Sequence, residues 1–338
     1  MKHIARALLA TTAIVAAAPA ALADKAHPVI GYTVYDMSSF ISLGKAGALS
    51  VAKANGASVL WNSAHMDVNA QISQFQQFIN QKVDAIIVAA VNSSTLGPQV
   101  AAAKAAGIPV ITVNLTVSDA TQKDAVSYVG PDDVAAGRQE AQHLVDAIGN
   151  KGGIVVLQGP LGQSGEIDRT KGIQEVLAKN PNVKLLAMQP GNWARNQAYS
   201  VMQDWLSRYG SQIAGVISEN DDMAIGAIQA MREKGLAGKI PVTAVDGIKD
   251  GMRAVRDGTI TETNLQDGPL ELGMAVQVAI DHIQGKPVPA VAMFIMPEIT
   301  KDNVAHYYDQ LYVHPQKFVD GLTDLVRKNL VSGHYAEQ

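Results

Sequence analysis

The 338-residue chain contains no cysteine. That absence excludes disulfide scaffolds, thiolate zinc sites, iron–sulfur clusters, cysteine nucleophiles and a lipid anchor on an N-terminal cysteine. Aromatic residues are scarce at 5%, and charged residues, at 17%, fall below the usual quarter. The formal charge is −4 and no basic run occurs, so nucleic acid is not an expected partner. The eight histidines are scattered without paired metal-ligand spacing, and neither a metal nor a cofactor is expected. Alanine, valine, isoleucine and glycine are plentiful instead. They suit buried parallel strands with small-residue helices packed on them. A prior of about 150 residues per domain gives two domains, long enough for two cores without a staple.

Long apolar runs are also missing, with one exception at the start. Residues 1–23 carry a basic beginning (Lys2, Arg6), an uncharged stretch over 7–17, and an Ala21-Leu22-Ala23 cleavage site before Asp24. This is the pattern of an export signal. A membrane anchor is the competing reading, but a span needs about 20 apolar residues and Pro19 interrupts the segment. Cleavage would take the formal charge from −4 to −6.

After the leader, strand and helix alternate. Short apolar runs predict strands over 29–33, 57–61, 85–89, 110–113 and 127–129. Helical spacing predicts helices over 41–55, 68–81 and 96–106 between them. A second series follows, with strands over 154–158, 184–188, 215–218, 242–245 and 260–264. Its helices are expected over 134–148, 166–179, 194–209, 222–234, 249–256 and 270–284, with Gly152-Gly153 read as the breaker of the first. Such alternation means two mostly parallel sheets. The stretch Ile108–Asn114 resembles Ile240–Asp246, a faint repeat that fits two similar lobes.

Open parallel sheets bind ligands beyond the carboxyl ends of their strands. The residues expected there are Tyr35, Asp36 and Phe40, then Asn114, the 159–165 loop, Trp193, Asn220, Asp246 and Gln266. Amides, carboxylates and isolated rings are what a polyhydroxylated ligand needs. Each also has a structural alternative: helix capping for Asn or Asp, a turn for Asp246, core packing for Phe40 and surface packing for Trp193. The 159–165 loop is glycine-rich but has neither the P-loop lysine nor the dinucleotide fingerprint, and no nucleophile–base pattern is present.

Several stretches in order carry a family likeness: Phe40-Ile41-Ser42-Leu43, Gln81-Lys82-Val83-Asp84-Ala85-Ile86-Ile87, Gly107-Ile108-Pro109-Val110, Arg169-Thr170-Lys171-Gly172, Asn220-Asp221-Asp222-Met223-Ala224-Ile225-Gly226-Ala227 and Val245-Asp246-Gly247. From about residue 27 to 289 the chain resembles the ribose-binding type of periplasmic binding protein, the capture component of ATP-driven sugar importers. Sensor domains of lac-repressor-like regulators share the signature, but they need a helix-turn-helix where this chain has a leader. The resemblance implies a type I α/β fold of two doubly wound parallel-sheet lobes joined by three hinge crossovers, near 129–130, 266–267 and 296–297. The expected first lobe is 24–129 plus 267–297 and the second is 130–266 plus 298–312, with a helical extension over 313–338. That extension is expected to be an arm packed on the second lobe, with permease docking or dimer contact as the alternatives.

Carried over by position, the resemblance puts ligand contacts on Trp193, Asn220, Asp246 and Gln266 in the second lobe and on Phe40 and Asn114 in the first. Departures are Leu115 and Ile167 where arginines are expected, and Ser39 where a second ring is expected. These argue against ribose and for another monosaccharide, a cyclic polyol or a sugar alcohol. Tyr35, Asp36, Glu166 and Arg169 are the candidates for replacement contacts. The implied role is a monomeric, non-enzymatic periplasmic binding protein that delivers its solute to an ABC permease in the inner membrane. A chemoreceptor is a second candidate partner, and an exported sugar-modifying enzyme the third reading.

Overall fold

A computed structural model describes residues 26–333 and Tyr335; the leader expected over 1–23 lies outside them. The first half runs β1 (Val29–Val34), α1 (Ser39–Ala54), β2 (Ser58–Ser63), α2 (Val68–Gln81), β3 (Ala85–Val88), α3 (Gly97–Ala105), β4 (Val110–Val113), α4 (Asp119–Gln122) and β5 (Ser127–Pro131). The second runs α5 (Asp133–Ala147), β6 (Gly152–Gln158), α6 (Ser164–Leu177), β7 (Val183–Pro190), α7 (Arg195–Tyr209), β8 (Ile213–Ser218), α8 (Asp221–Glu233), β9 (Val242–Asp246), α9 (Lys249–Asp257) and β10 (Glu262–Leu265). Then come α10 (Gly268–Ile283), β11 (Val291–Phe294), β12 (Glu298–Ile299), α11 (Val304–Tyr308), a π-helical turn (Asp309–Val313) and α12 (Pro315–Ser332).

The strands form two six-stranded sheets, ordered β11-β5-β4-β3-β1-β2 and β12-β10-β9-β8-β6-β7. All pairings are parallel except β10 with β12. The order steps outward on both sides of β1 and of β6, which is the doubly wound arrangement of the type I periplasmic binding fold. β3 and β4 are buried throughout, so both faces of the sheet are covered.

The chain passes between the sheets after β5, after β10 and between β11 and β12. Polar side chains fix these passages. Asp132 caps α5 by accepting from the Ala135 amide at 2.9 Å. Asp267 caps α10 by accepting from the Leu270 amide at 3.0 Å. α10 returns to the first sheet and lies against α1. Gly47 permits this approach, because a Cβ there would overlap the Pro269 carbonyl oxygen.

Three expectations are corrected. Gly152 and Gly153 open β6; they do not simply break a helix. β11 and β12 were not expected at all. The C-terminal helix packs on the first lobe, not the second: Leu322 and Val326 are fully buried in the core cluster that holds α1 and α10. The reason is that α10 is buried on every side from Gly268 to Ile280. A helix apolar all round needs cover beyond one sheet and one neighbour, and α12 supplies it.

Candidate functional site

Between the carboxyl ends of the two sheets lies a narrow, partly open pocket of about 20 Å³ lined by both lobes. The first lobe contributes Tyr35, Ser38, Phe40, Asn114 and Leu115; the second contributes Arg169, Trp193, Asn220 and Asp246, with Gln266 at the crossing. The lobes touch around the cavity. The Ser93 amide and hydroxyl both donate to the Gly162 carbonyl at 3.0 Å, and the Thr116 amide donates to Ser164 Oγ at 2.9 Å.

Arg169 is the hub, 4% exposed on the inward face of α6. Its Nε donates to Asp133 Oδ1 at 2.8 Å and its Nη2 to Gln266 Oε1 at 3.0 Å, while Nη1 donates to the Glu219 carbonyl. Asp246 Oδ1 stands 4.0 Å from Nη1. One guanidinium thus ties α5, β8, the crossing at Gln266 and the β9 turn together. Burial pushes the Asp246 carboxyl well above the usual range, and Arg169 opposes that rise. Asp133 shows the same balance, raised by burial and lowered by Arg169. Glu219 and Glu271, buried beside this network, are pushed up to about 8 by loss of solvation.

Backbone strain gathers at the same place. Asn114, Trp193 and Asp246 have φ of +60°, +57° and +122°. For side chains other than glycine, such values persist only where the surroundings enforce them, and they cluster at functional sites. Each is enforced here. The Asn114 amide donates to the Val129 carbonyl at 2.9 Å, and its carbonyl accepts from Tyr128 Oη at 3.1 Å. The Asp246 carbonyl accepts from the Gln266 amide at 3.0 Å. Trp193 Nε1 donates to Gln163 Oε1 at 2.6 Å, and its indole lies over Gly159, where any Cβ would collide with the ring. The ring centre is 5.6 Å from Arg169 Cζ.

Eight sequence-predicted residues meet at the cavity: Tyr35, Phe40, Asn114, Arg169, Trp193, Asn220, Asp246 and Gln266. Asn220 does both jobs weighed for it, lining the cavity and capping α8 by accepting from the Met223 amide at 2.9 Å. Asp36 and Glu166 do not line it. Asp36 faces His65 on the surface at 3.6 Å. Glu166 accepts from Gln158 Nε2 at 2.9 Å and from the Gly162 amide at 3.2 Å, so it braces the 159–165 loop. Of the four replacement contacts weighed, Tyr35 and Arg169 line the pocket. Ile167 is 46% exposed and points away, while Arg169 occupies the cleft. Ser38 and Leu115 line the cavity without having been chosen as contacts; Ser38 was legible as the N-cap of α1 and Leu115 as the neighbour of Asn114.

Among the described residues, no group of three or more His, Cys, Asp or Glu is placed to hold a metal ion. No described helix is long and apolar enough to cross a membrane.

The family model for a periplasmic binding protein domain matches residues 30–287, which leaves the C-terminal arm outside it. The chain is 49% identical over 307 residues to a xylitol-binding protein of Mycolicibacterium smegmatis, covering 91% of this chain and 87% of that one. Among solved structures, an ABC transporter solute-binding protein of Bacillus halodurans with bound myo-inositol superposes with a TM-score of 0.79 at 27% identity, covering 84% of this chain and 98% of that one. The periplasmic binding component of the arabinose ABC transporter of Shewanella sp. ANA-3, bound to L-arabinofuranose, gives 0.81 at 29% identity, covering 86% and 97%. With two doubly wound lobes closed on a shared polar cavity, the chain belongs to the periplasmic binding proteins of the sugar-importer type.

Proposed function

We propose that this protein captures a small neutral polyol, a pentitol such as xylitol in the first instance, between its lobes and presents it to an ABC permease. The leader over 1–23 exports the chain and is removed after Ala23, leaving a monomer in the periplasm. The observation that carries this reading is the pocket between the lobes, to which each lobe contributes at least one ring and at least one amide. Phe40 and Trp193 offer apolar faces to C–H surfaces. Asn114, Asn220, Asp246, Arg169 and Gln266 offer donors and acceptors for hydroxyls. Asp133 and Asp246 balance the guanidinium already, so a neutral solute suits the cavity better than an ion. Leu115 replaces a charged fork with an apolar wall, which favours an acyclic chain or ring other than ribose. The relative that binds xylitol and the neighbour that holds myo-inositol agree with this class.

Closure follows from linkage. Each lobe alone holds half of the contacts, so the solute binds the closed form better and shifts the population toward it. The test is a melting panel of xylitol, other pentitols, myo-inositol, ribose and arabinose. A ligand at 100 times its Kd adds about 2.7 kcal/mol. Unfolding entropy of roughly 0.6 kcal/mol per kelvin for about 300 residues converts this to a rise of about 4 °C. A flat panel with hits among amino acids or nucleosides instead overturns the substrate class.

A further inference from the structure

The chain crosses between the lobes a fourth time, beyond the family match. α11 and the π-helical turn belong to the second lobe. Val304 and Leu311 are buried in its core cluster with Met252 and Val255. Tyr308 Oη accepts from Arg253 Nε at 2.9 Å. Tyr312 Oη donates to the Gly247 carbonyl at 2.8 Å. Three residues later α12 begins, and it belongs to the first lobe. Leu322 and Val326 are fully buried against α1 and α10, and Arg327 Nη2 donates to Asn55 Oδ1 at the end of α1 at 2.9 Å. Phe318 packs against the core clusters of both lobes.

Only His314 separates the π-helical turn from α12. A chain spans at most about 3.6 Å per residue, so this link holds almost no slack. A rotation that parts the lobes here must break the Tyr312 bond, pull Phe318 from its seat or unwind the first turn of α12. The bond itself lands on a sensitive place. Gly247 follows Asp246, and the two adopt φ of +67° and +122°. Three contacts hold that turn: Gln266 N–H to the Asp246 carbonyl at 3.0 Å, Ile248 N–H to Asp221 Oδ2 at 2.8 Å, and Tyr312. We propose that the C-terminal arm is a strap that biases the lobes toward closure, and that Tyr312 is a positioning residue for the Asp246 turn. The second half rests on the reading of Asp246 as a ligand contact; the first does not.

The test uses the full chain. Its lack of cysteine allows clean spin labelling at exposed positions on the two lobes, Gln77→Cys and Asp204→Cys. Four glycines inserted between His314 and Pro315 free the tether while leaving α12 and Tyr312 seated. The expected result is a longer inter-lobe distance in the ligand-free protein, with xylitol restoring the short one and leaving about tenfold faster. Distance distributions that superpose on the parent overturn the strap. For Tyr312→Phe, hydrogen exchange over residues 245–250 is expected to rise at least threefold without ligand, and xylitol affinity to fall about fivefold, with inter-lobe distances unchanged. Parent-like exchange over that segment overturns the positioning role. Both deciding readouts are taken without ligand, so failure of the polyol reading is seen separately, as absence of any xylitol response.

Discussion

Arg169→Met removes the one cation of the buried network. In the parent, the guanidinium donates to Asp133, Gln266 and the Glu219 carbonyl and faces Asp246 at 4.0 Å. Taking away one partner of a buried pair costs about 3–5 kcal/mol, because the remaining charge is left uncompensated. At roughly 0.6 kcal/mol per kelvin this lowers the melting temperature by about 5–8 °C. The cost has a ceiling, since Asp133 and Asp246 can escape by taking up protons. Burial already pushes both carboxyls up, and Arg169 is the group that restrains them. In the variant their folded pKa values rise further above the unfolded value of about 3.9. The folded variant then holds more protons than the unfolded chain, so its stability falls as pH rises. The deficit against the parent is therefore expected to be small at pH 5 and full at pH 8. Arg169→Lys keeps the charge but loses the planar fork, and is expected to lose about half as much at pH 8. Differential scanning calorimetry of the three proteins at both pH values measures this. A Met variant that melts with the parent at pH 8, or whose deficit shrinks as pH rises, refutes the account of Arg169 as the charge hub.

Trp193→Ala is expected to weaken polyol binding by about 1–2 kcal/mol, five- to thirtyfold in Kd by titration calorimetry, through loss of the ring face in the cleft. The parent itself is expected to melt at lower temperature as pH rises from about 5 to 8. Glu219 and Glu271 are held at about 8 and Asp221 and Asp267 at about 7 by burial, so all four lose protons through that window in the fold after the unfolded chain has already lost them. A stability that climbs across the window contradicts the burial argument. Gly47→Ala is expected to destabilise the first lobe by several kcal/mol in urea unfolding, because the obstacle is the Pro269 backbone and cannot swing away; parent-like unfolding would mean that α1 and α10 can slide apart.

The sheets were legible because their central strands are short apolar runs between glycine-ended helices. β3 and β4 need no partner to be recognised. β11 and β12 are different. β11 alternates exposed and buried residues over only four positions after Pro287 and Pro289, and its strand character comes from pairing with β5. β12 has two residues and exists only against β10. Such elements are set by tertiary partners, not by local pattern. Gly152 and Gly153 misled for a related reason. Gly153 lies where a Cβ would meet the Leu186 side chain and the Gln212 carbonyl, so the glycines let neighbouring strands close on β6.

The site was legible by position and misread where linear spacing was used in place of helical phase. Counting from the 159–165 loop put an arginine slot at Ile167, and its absence suggested a cleft without a second fork. The helix says otherwise. Residues Gly165, Glu166, Arg169, Gly172, Ile173 and Val176 are buried and recur at three- and four-residue steps. That stripe faces the second sheet, Ile167 falls outside it, and the first long polar side chain on it beyond the loop brace is Arg169. The periodicity was present in the sequence and supports Arg169, which was already among the candidate replacement contacts. Leu115 is the converse case. No periodicity bears on a residue just past a strand end; the resemblance marked the position, and the pocket has Leu115 among its lining. A single guanidinium balanced by Asp133 and Asp246, beside an apolar wall, favours a neutral polyol whose shape is read by hydroxyl positions over one that is read by charge.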